Sequence, residues 1–480
     1  MDNSHITAKS TAVTFDTAPS FAPMPLSWRL AIAAGIVALT VAAYFFQPAI
    51  GTRGQALVGV VCFFGLVAAC SANLRLVNWR TIGWGFGLQC VLAVLVLKVD
   101  FVYQFFKLVG RGVRQFIGFS DAGAKFVFGN LAYDPQGKFP QMFGSDYAFP
   151  LAFVALPPIL FVSAFFTVLY HFGILQWCVR QLARVMVYLM RTSGAETLSV
   201  SANVFMGQTE APLIVRPYVP RMTNSELFTL MTSGFAHISG AMMVVYINYG
   251  ADEVAVLTTC VMACPCSLYL AKLFLPEIAT PETAGKLHAS QEKSPYVNAI
   301  DAAASGTSDG LRLALNVVAM LIVFIAFVAM FDALLQQVKP MLLWVGVFGE
   351  LEFWPDDLRL KDVFGWLFSP AAFLMGVDPT DVHKVGSLLG TKLALNEHVA
   401  YLDLKNLLKA TPGYLTEHSQ KLAAFALTGF ANFGSVGIQL GGIGAMAPER
   451  RHDLARLGGR ALFVGFVATL LNAAIAGVLL

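Results

Sequence analysis

Long apolar runs, broken at a few places by polar clusters, dominate the chain. Runs at about 28–47, 54–75 and 81–99 each have the length of a helix that crosses a hydrocarbon core. Further runs lie at about 147–171, 225–249, 253–275, 311–338, 420–446 and 455–480, the first of them interrupted by Pro157-Pro158. Other stretches have a different rhythm. Over 101–129, Phe101, Phe105, Phe106, Val109, Phe116, Phe119 and Phe126 alternate with Lys107, Arg111, Arg114 and Lys125. Over 173–191, Trp177, Arg180, Arg184, Tyr188 and Arg191 punctuate an apolar helix. Both patterns predict helices lying in the membrane interface. Segment 340–380, with aromatics beside acids, reads as another interfacial piece. Segments 195–219 and 384–411 are too polar to span simply, and Pro212, Pro217 and Pro220 punctuate the first. They predict broken or re-entrant hairpins, which are allowed at membrane depth only where the backbone is buried or lines a cavity.

Composition narrows the class. Of 480 residues, 57% are hydrophobic and 13% charged; a soluble domain carries about 25% charged residues. The chain therefore reads as a multi-pass protein of a cell membrane. A net charge of +3 gives no reason to expect nucleic acid as a partner. The seven cysteines lie in or beside apolar runs and read as packing residues. Residues 1–27 are rich in Ser, Thr and Pro and lack a basic start, so they predict a flexible tail rather than a cleavable signal. The connector 276–310 is polar and reads as cytoplasmic. The expected organisation is this tail, a scaffold over 28–146, and a transport core over 147–480.

The chemistry concentrates in one string. Gln208, Thr209 and Glu210 sit between Val204-Phe205-Met206 and Ala211-Pro212-Leu213-Ile214-Val215. A carboxylate facing lipid costs about 2.5–3.5 kcal/mol on insertion scales, so it is tolerated where it meets a partner, water or a ligand. A second segment repeats the plan. The hairpin with Glu210 is followed by Gly234-Phe235-Ala236-His237; one with Thr391-Lys392 and Asn396-Glu397 is followed by Gly429-Phe430-Ala431-Asn432. The two units span 195–275 and 384–446. Paired repeats with interrupted segments commonly build a transporter's substrate site near the midplane. Glycines 207, 386, 390, 434 and 437 beside these clusters are expected to let backbone groups turn toward a ligand. The site should combine Gln208, Thr209 and Glu210 with Glu397, Asn432 and Ser435. Two carboxylates repel an anion; amides, hydroxyls and the Phe430 ring suit a sugar or a nucleoside, and the ring favours the nucleoside.

The strings Gly207-Gln208-Thr209-Glu210-Ala211-Pro212, Thr391-Lys392-Leu393-Ala394-Leu395-Asn396-Glu397 and Gly429-Phe430-Ala431-Asn432-Phe433-Gly434-Ser435 resemble the concentrative nucleoside transporter family. So do Asp301-Ala302-Ala303-Ala304-Ser305-Gly306 and Met446-Ala447-Pro448-Glu449-Arg450-Arg451. The resemblance implies an all-α polytopic membrane protein, with about 8–10 transmembrane helices, two re-entrant hairpins, broken helices and interfacial helices. It implies a homotrimer of cation–nucleoside symporters in the lipid bilayer, with no organic cofactor. Gln208, Thr209 and Glu210 would bind the nucleobase, Phe430 would pack on it, and Met242 would line its pocket. Glu397, Asn432 and Ser435 would hold the ribose. A sodium site would use Asn203, Met206, His237 and Ile238.

His237 stands where the family often has a hydroxyl, a better sodium ligand than imidazole nitrogen. Two readings follow. Either Asn203 and backbone carbonyls hold sodium while His237 stands aside, or His237 or a glutamate carries a proton. His398, after Glu397, replaces the usual aromatic and is expected to change packing rather than contacts. Other classes fit less well. Cys264-Pro265-Cys266 has the form of a metal-pump motif, but the Asp-Lys-Thr-Gly loop such a pump needs is missing, so it reads as packing at a kink. No Walker-type loop supports ATP-driven transport, and no His-Glu-x-x-His supports a metalloenzyme. A passive channel or carrier for polar ring solutes is the alternative.

Overall fold

The first two apolar runs form one element, α1 (Leu26–Ala69), kinked at Gly51, whose φ of 64° is in the left-handed region. The computed structural model describes residues 23–131, 153, 156–285, 295–345 and 357–480. Most of the expected tail, the polar loop up to 146, the start of the span at 147, and parts of segments 276–310 and 340–380 lie outside the described residues. Next come α2 (Trp79–Lys98) and the amphipathic α3 (Asp100–Phe128), whose Phe101, Phe119 and Phe126 are exposed. Helices α4 (Leu156–His171) and α5 (Ile174–Met190) meet at a 75° bend. Helix α5 buries Leu175, Val179, Ala183, Met186 and Met190 along one face, the stripe expected of an amphipathic helix.

The first polar segment is a hairpin. It enters as α6 (Gly194–Ala202), turns through Asn203–Glu210, and returns in 3-10 turns Ala211–Val215 and Val219–Arg221. Pro212 and Pro220 are the second residues of those turns, where the N–H has no partner within the helix to lose. The run at 225–249 is not one span. It breaks at His237–Ser239 into α7 (Asn224–Ala236) and α8 (Gly240–Asn248), each with a side-chain N-cap, from Thr223 and from Ser239. Helix α9 (Glu253–Phe274) follows intact.

Helix α10 (Ala299–Val345) is longer than the span expected at 311–338, because the end of the polar connector is already helical. Gly306 and Gly310 explain this: a Cβ on either would lie 2.5–2.9 Å from Thr167, Ala164, Leu160 or Ser163 of α4. The Asp301–Gly306 motif is thus the start of a small-residue stripe for close helix packing. Helix α11 (Leu360–Leu374) packs along α12 (Val382–Ala394), the first arm of the second hairpin. Gly386 faces the Gly365 carbonyl and Gly390 faces Phe364, at distances a Cβ would not tolerate. These two glycines therefore serve helix–helix approach, not the ligand-facing turns expected of them. The hairpin turns at Leu395-Asn396 and returns as α13 (Glu397–Ala410), N-capped by Asn396. The run at 420–446 is also broken, into α14 (Glu417–Leu427) and α15 (Phe433–Met446), and α16 (Arg451–Leu479) ends the chain.

Five helical spans among the described residues are long and apolar enough to cross a membrane, six if the bent α4–α5 pair is one span. Helices α7, α8, α9 and α16 are almost wholly buried, whereas α1 is largely exposed. A polar knot ties three helices: Tyr269 of α9 donates to Gln89 of α2 at 2.7 Å, and Gln89 donates to Asn472 of α16 at 2.6 Å.

Candidate substrate and ion site

The first Gly-Phe-Ala motif ends α7, the second lies in the break after α14, and the structure brings them face to face. Gly429 has φ 143°, and a Cβ there would lie 3.1 Å from the carbonyls of Phe235 and Ala236. The N–H of Phe430 donates to the His237 carbonyl at 3.0 Å. Both breaks therefore sit at one place, and the hairpin tips close on them.

The second hairpin's tip is held by its carboxylate. Glu397 accepts from the Tyr246 hydroxyl on α8 and from Asn432 Nδ2 at the second break, both at 2.9 Å. Tyr246 stacks on Tyr401, with ring centroids 4.5 Å apart. Asn432 also N-caps α15, its Oδ1 accepting from the Ser435 N–H at 2.8 Å. His398 makes a direct contact that the expectation of a mere packing change missed: its Nε2 lies 3.0 Å from the Tyr249 hydroxyl.

The first hairpin's three polar residues fan out rather than converge. Gln208 is buried and donates to Ser435 Oγ at 3.2 Å, while its Oε1 accepts from Gln439 at 3.1 Å. Thr209 lies against Gly442, where a Cβ would meet its Cγ2 at 2.5 Å. Glu210 is exposed, accepts the Gly207 N–H at 2.5 Å, and lines a cavity of about 410 Å³ with Arg216, Ser239, Tyr296, Asp309 and Thr167. Met206 lines the same cavity. Met242 is buried on the first turn of α8, its N–H donating to Ser239 Oγ. Phe430 is partly buried. Tyr246 and Gln439 complete these clusters and were not singled out from the sequence.

Asn203 is buried at the end of α6 and donates from Nδ2 to Ser233 Oγ at 3.0 Å, leaving its Oδ1 without a partner among the described residues. Ser199 Oγ, one turn earlier on α6, and Thr232 Oγ1, next to Ser233, are likewise buried with no partner among the described residues. These orphaned atoms are hard oxygens, which suit an alkali cation. The His237 ring is turned to the protein: Nδ1 lies 2.9 Å from the Ser233 carbonyl and Nε2 lies 3.4 Å from Cys264 Sγ. Cys264 thus faces the break at His237 as well as packing inside α9. Ile238 is fully buried between the two half-helices.

Among known protein families, "Na+ dependent nucleoside transporter" matches residues 58–131 with its N-terminal part and 255–477 with its C-terminal part, and "Nucleoside recognition" matches 152–253. An uncharacterized transporter of Haemophilus influenzae is 37% identical and is covered over 97% of its length by 88% of this chain. The chain belongs to the sodium-dependent nucleoside transporter family. Human sodium/nucleoside cotransporter 1 is 37% identical over 88% of this chain but 63% of its own length, so the chain spans less than two thirds of that relative. A solved structure of CNTnw in an inward-facing substrate-bound state superposes with TM-score 0.80 at 35% identity, covering 88% of this chain and 97% of that one. Membership makes the chain an integral membrane protein with the helical fold of its relatives.

Proposed function

We propose that this family member imports nucleosides by symport with sodium. The observation that carries the reading is the convergence of two hairpin tips on two opposed helix breaks, with Glu397 tied to both Tyr246 and Asn432. A carboxylate already satisfied by two donors keeps lone pairs free for sugar hydroxyls. On this reading Glu397, Asn432 and Ser435 hold the ribose, Gln208 reads the base, and Phe430 and Met242 flank it. Thr209 and Glu210 act at the rim, since Thr209 lies against Gly442 and Glu210 lines the neighbouring cavity. The chain assembles as a homotrimer, as the family resemblance implies; light scattering of the purified protein tests this.

Sodium is favoured over a proton because His237 is engaged at both ring nitrogens, while Asn203 Oδ1 is buried with no partner among the described residues. Asn203, with the carbonyls of Met206 and Ile238, would hold the ion, and His237 stands aside. The relatives named for sodium point the same way. Uptake of radiolabelled uridine and adenosine into proteoliposomes decides between the ions. A sodium gradient is expected to drive accumulation, and a pH gradient of equal force is not. Glu397→Gln should raise the KM at least about tenfold, the loss expected for hydrogen bonds to a charged group. Equal wild-type uptake with or without any gradient would instead mark a passive carrier.

A further inference from the structure

Gln208 is an amide, and an amide can present either a donor or an acceptor to a base. Which edge faces the site is decided by its neighbour Gln439. The backbone carbonyl of Met231, on α7, only accepts; the Gln439 atom 3.1 Å from it must therefore be the NH2. The same NH2 lies 3.1 Å from the Gln208 side chain, so the Gln208 atom there must be the carbonyl oxygen. Gln208 then has its own NH2 turned toward Ser435 and the second break. The chain of roles starts from a backbone carbonyl, which has no choice, so the hydrogen-bond network itself fixes both amide orientations.

The surroundings are built for this chain of bonds. Ser435, Gln439 and Ile443 are the buried stripe of α15, so Gln439 sits one turn behind the proposed ribose contact. Gln439 is fully buried. Gly234 makes the room: a Cβ there would lie 2.6 Å from Gln439 Nε2 and 3.1 Å from Gln208 Cβ. The glycine of the first Gly-Phe-Ala motif is thus the seat of the Gln439 amide.

We infer that Gln439 is a positioning residue for base selectivity: by locking Gln208 with its NH2 toward the site, it makes the carrier select bases that offer a hydrogen-bond acceptor there. It rests on the nucleoside reading above. The test is competition against radiolabelled nucleoside uptake in proteoliposomes. The competitors are adenosine, cytidine and uridine, and analogues of each in which one ring-nitrogen acceptor becomes C–H or one base carbonyl becomes a thiocarbonyl. In the wild type at least one such analogue should compete about tenfold more weakly than its parent, because the donor is left unpaired. In Gln439→Glu the single O–H of the buried carboxyl is taken by the Met231 carbonyl, so the same oxygen accepts from Gln208, which turns round and shows its carbonyl to the site; the tenfold penalty should vanish or reverse. Gln439→Met frees Gln208 to adopt either edge, and the penalty should shrink to about threefold or less. A merely structural role would weaken parent and analogue alike and leave their ratio unchanged.

A wild-type protein that takes up no nucleoside sinks the nucleoside reading itself. Nucleoside uptake with no acceptor penalty, or with the wild-type ratio kept in folded Gln439→Glu and Gln439→Met, overturns the role of Gln439 alone. If neither variant melts as a folded protein, the wild-type panel still decides whether Gln208 presents its donor.

Discussion

Tyr246 shows how much a single side chain carries. Its hydroxyl is one of two donors on Glu397, and its ring stacks on Tyr401. Tyr246→Phe keeps the stack and removes the donor, so the fold should persist while the KM for nucleoside rises about tenfold; uptake kinetics beside a thermal melt check both halves. At this scale the sequence was informative where a polar residue interrupts an apolar run. Glu397, Asn432, Gln208 and Asn203 stand out for that reason, since burying them unpaired is costly. Tyr246 did not stand out, because a tyrosine inside a span reads as one more large apolar residue. Gln439 did not either: its partner Gln208 lies 231 residues away, a separation that no periodicity reveals. His398 was visible as an oddity, but its bond to Tyr249 depends on how α8 meets the second hairpin.

Helices that approach closely account for most differences between expected and observed elements. Hydropathy located the runs well but could not show where a run breaks, as at His237–Ser239, because the flanking residues are equally apolar. The breaks follow from caps and from glycines. Gly429 is the sharpest case. Its φ of 143° is reserved in practice for glycine, and its Cα faces the Phe235 and Ala236 carbonyls. Gly429→Ala should lower stability by roughly 1–3 kcal/mol from backbone strain, with steric overlap added, seen as a lower melting temperature in detergent. Gly386 and Gly390 show the opposite lesson. Glycine beside a polar cluster suggested a ligand-facing turn, yet both lie in the regular helix α12 and let α11 come near.

Two buried ionic clusters decide which elements belong together in the whole molecule. Lys272 of α9 pairs with Glu196 of the first hairpin at 2.8 Å and with Glu277 at 3.0 Å, and donates to Ser225 of α7. Arg450, leading into α16, pairs with Asp453, donates to the Met222 carbonyl at 2.5 Å, and reaches Asn224 at 3.0 Å. Both ends of the first hairpin are thus fastened to buried helices by charged groups, whereas its tip is held by neutral hydrogen bonds from Asn203 and Gln208. Lys272→Met strands the buried Glu196 carboxylate and should cost about 3–5 kcal/mol, measurable as a lower melting point that sodium does not restore. The hairpin roots were hidden in the sequence, since Lys272 reads there as a charge near a span end. The tip has a further consequence. The His237 carbonyl, beside the proposed ion ligands, accepts from the N–H of Phe430, the proposed base platform. On the proposed function, two occupants that both bear on this bond would be thermodynamically linked, and linkage is reciprocal. Whatever factor sodium adds to nucleoside affinity, nucleoside must return to sodium affinity, so the carrier would resist taking either one alone.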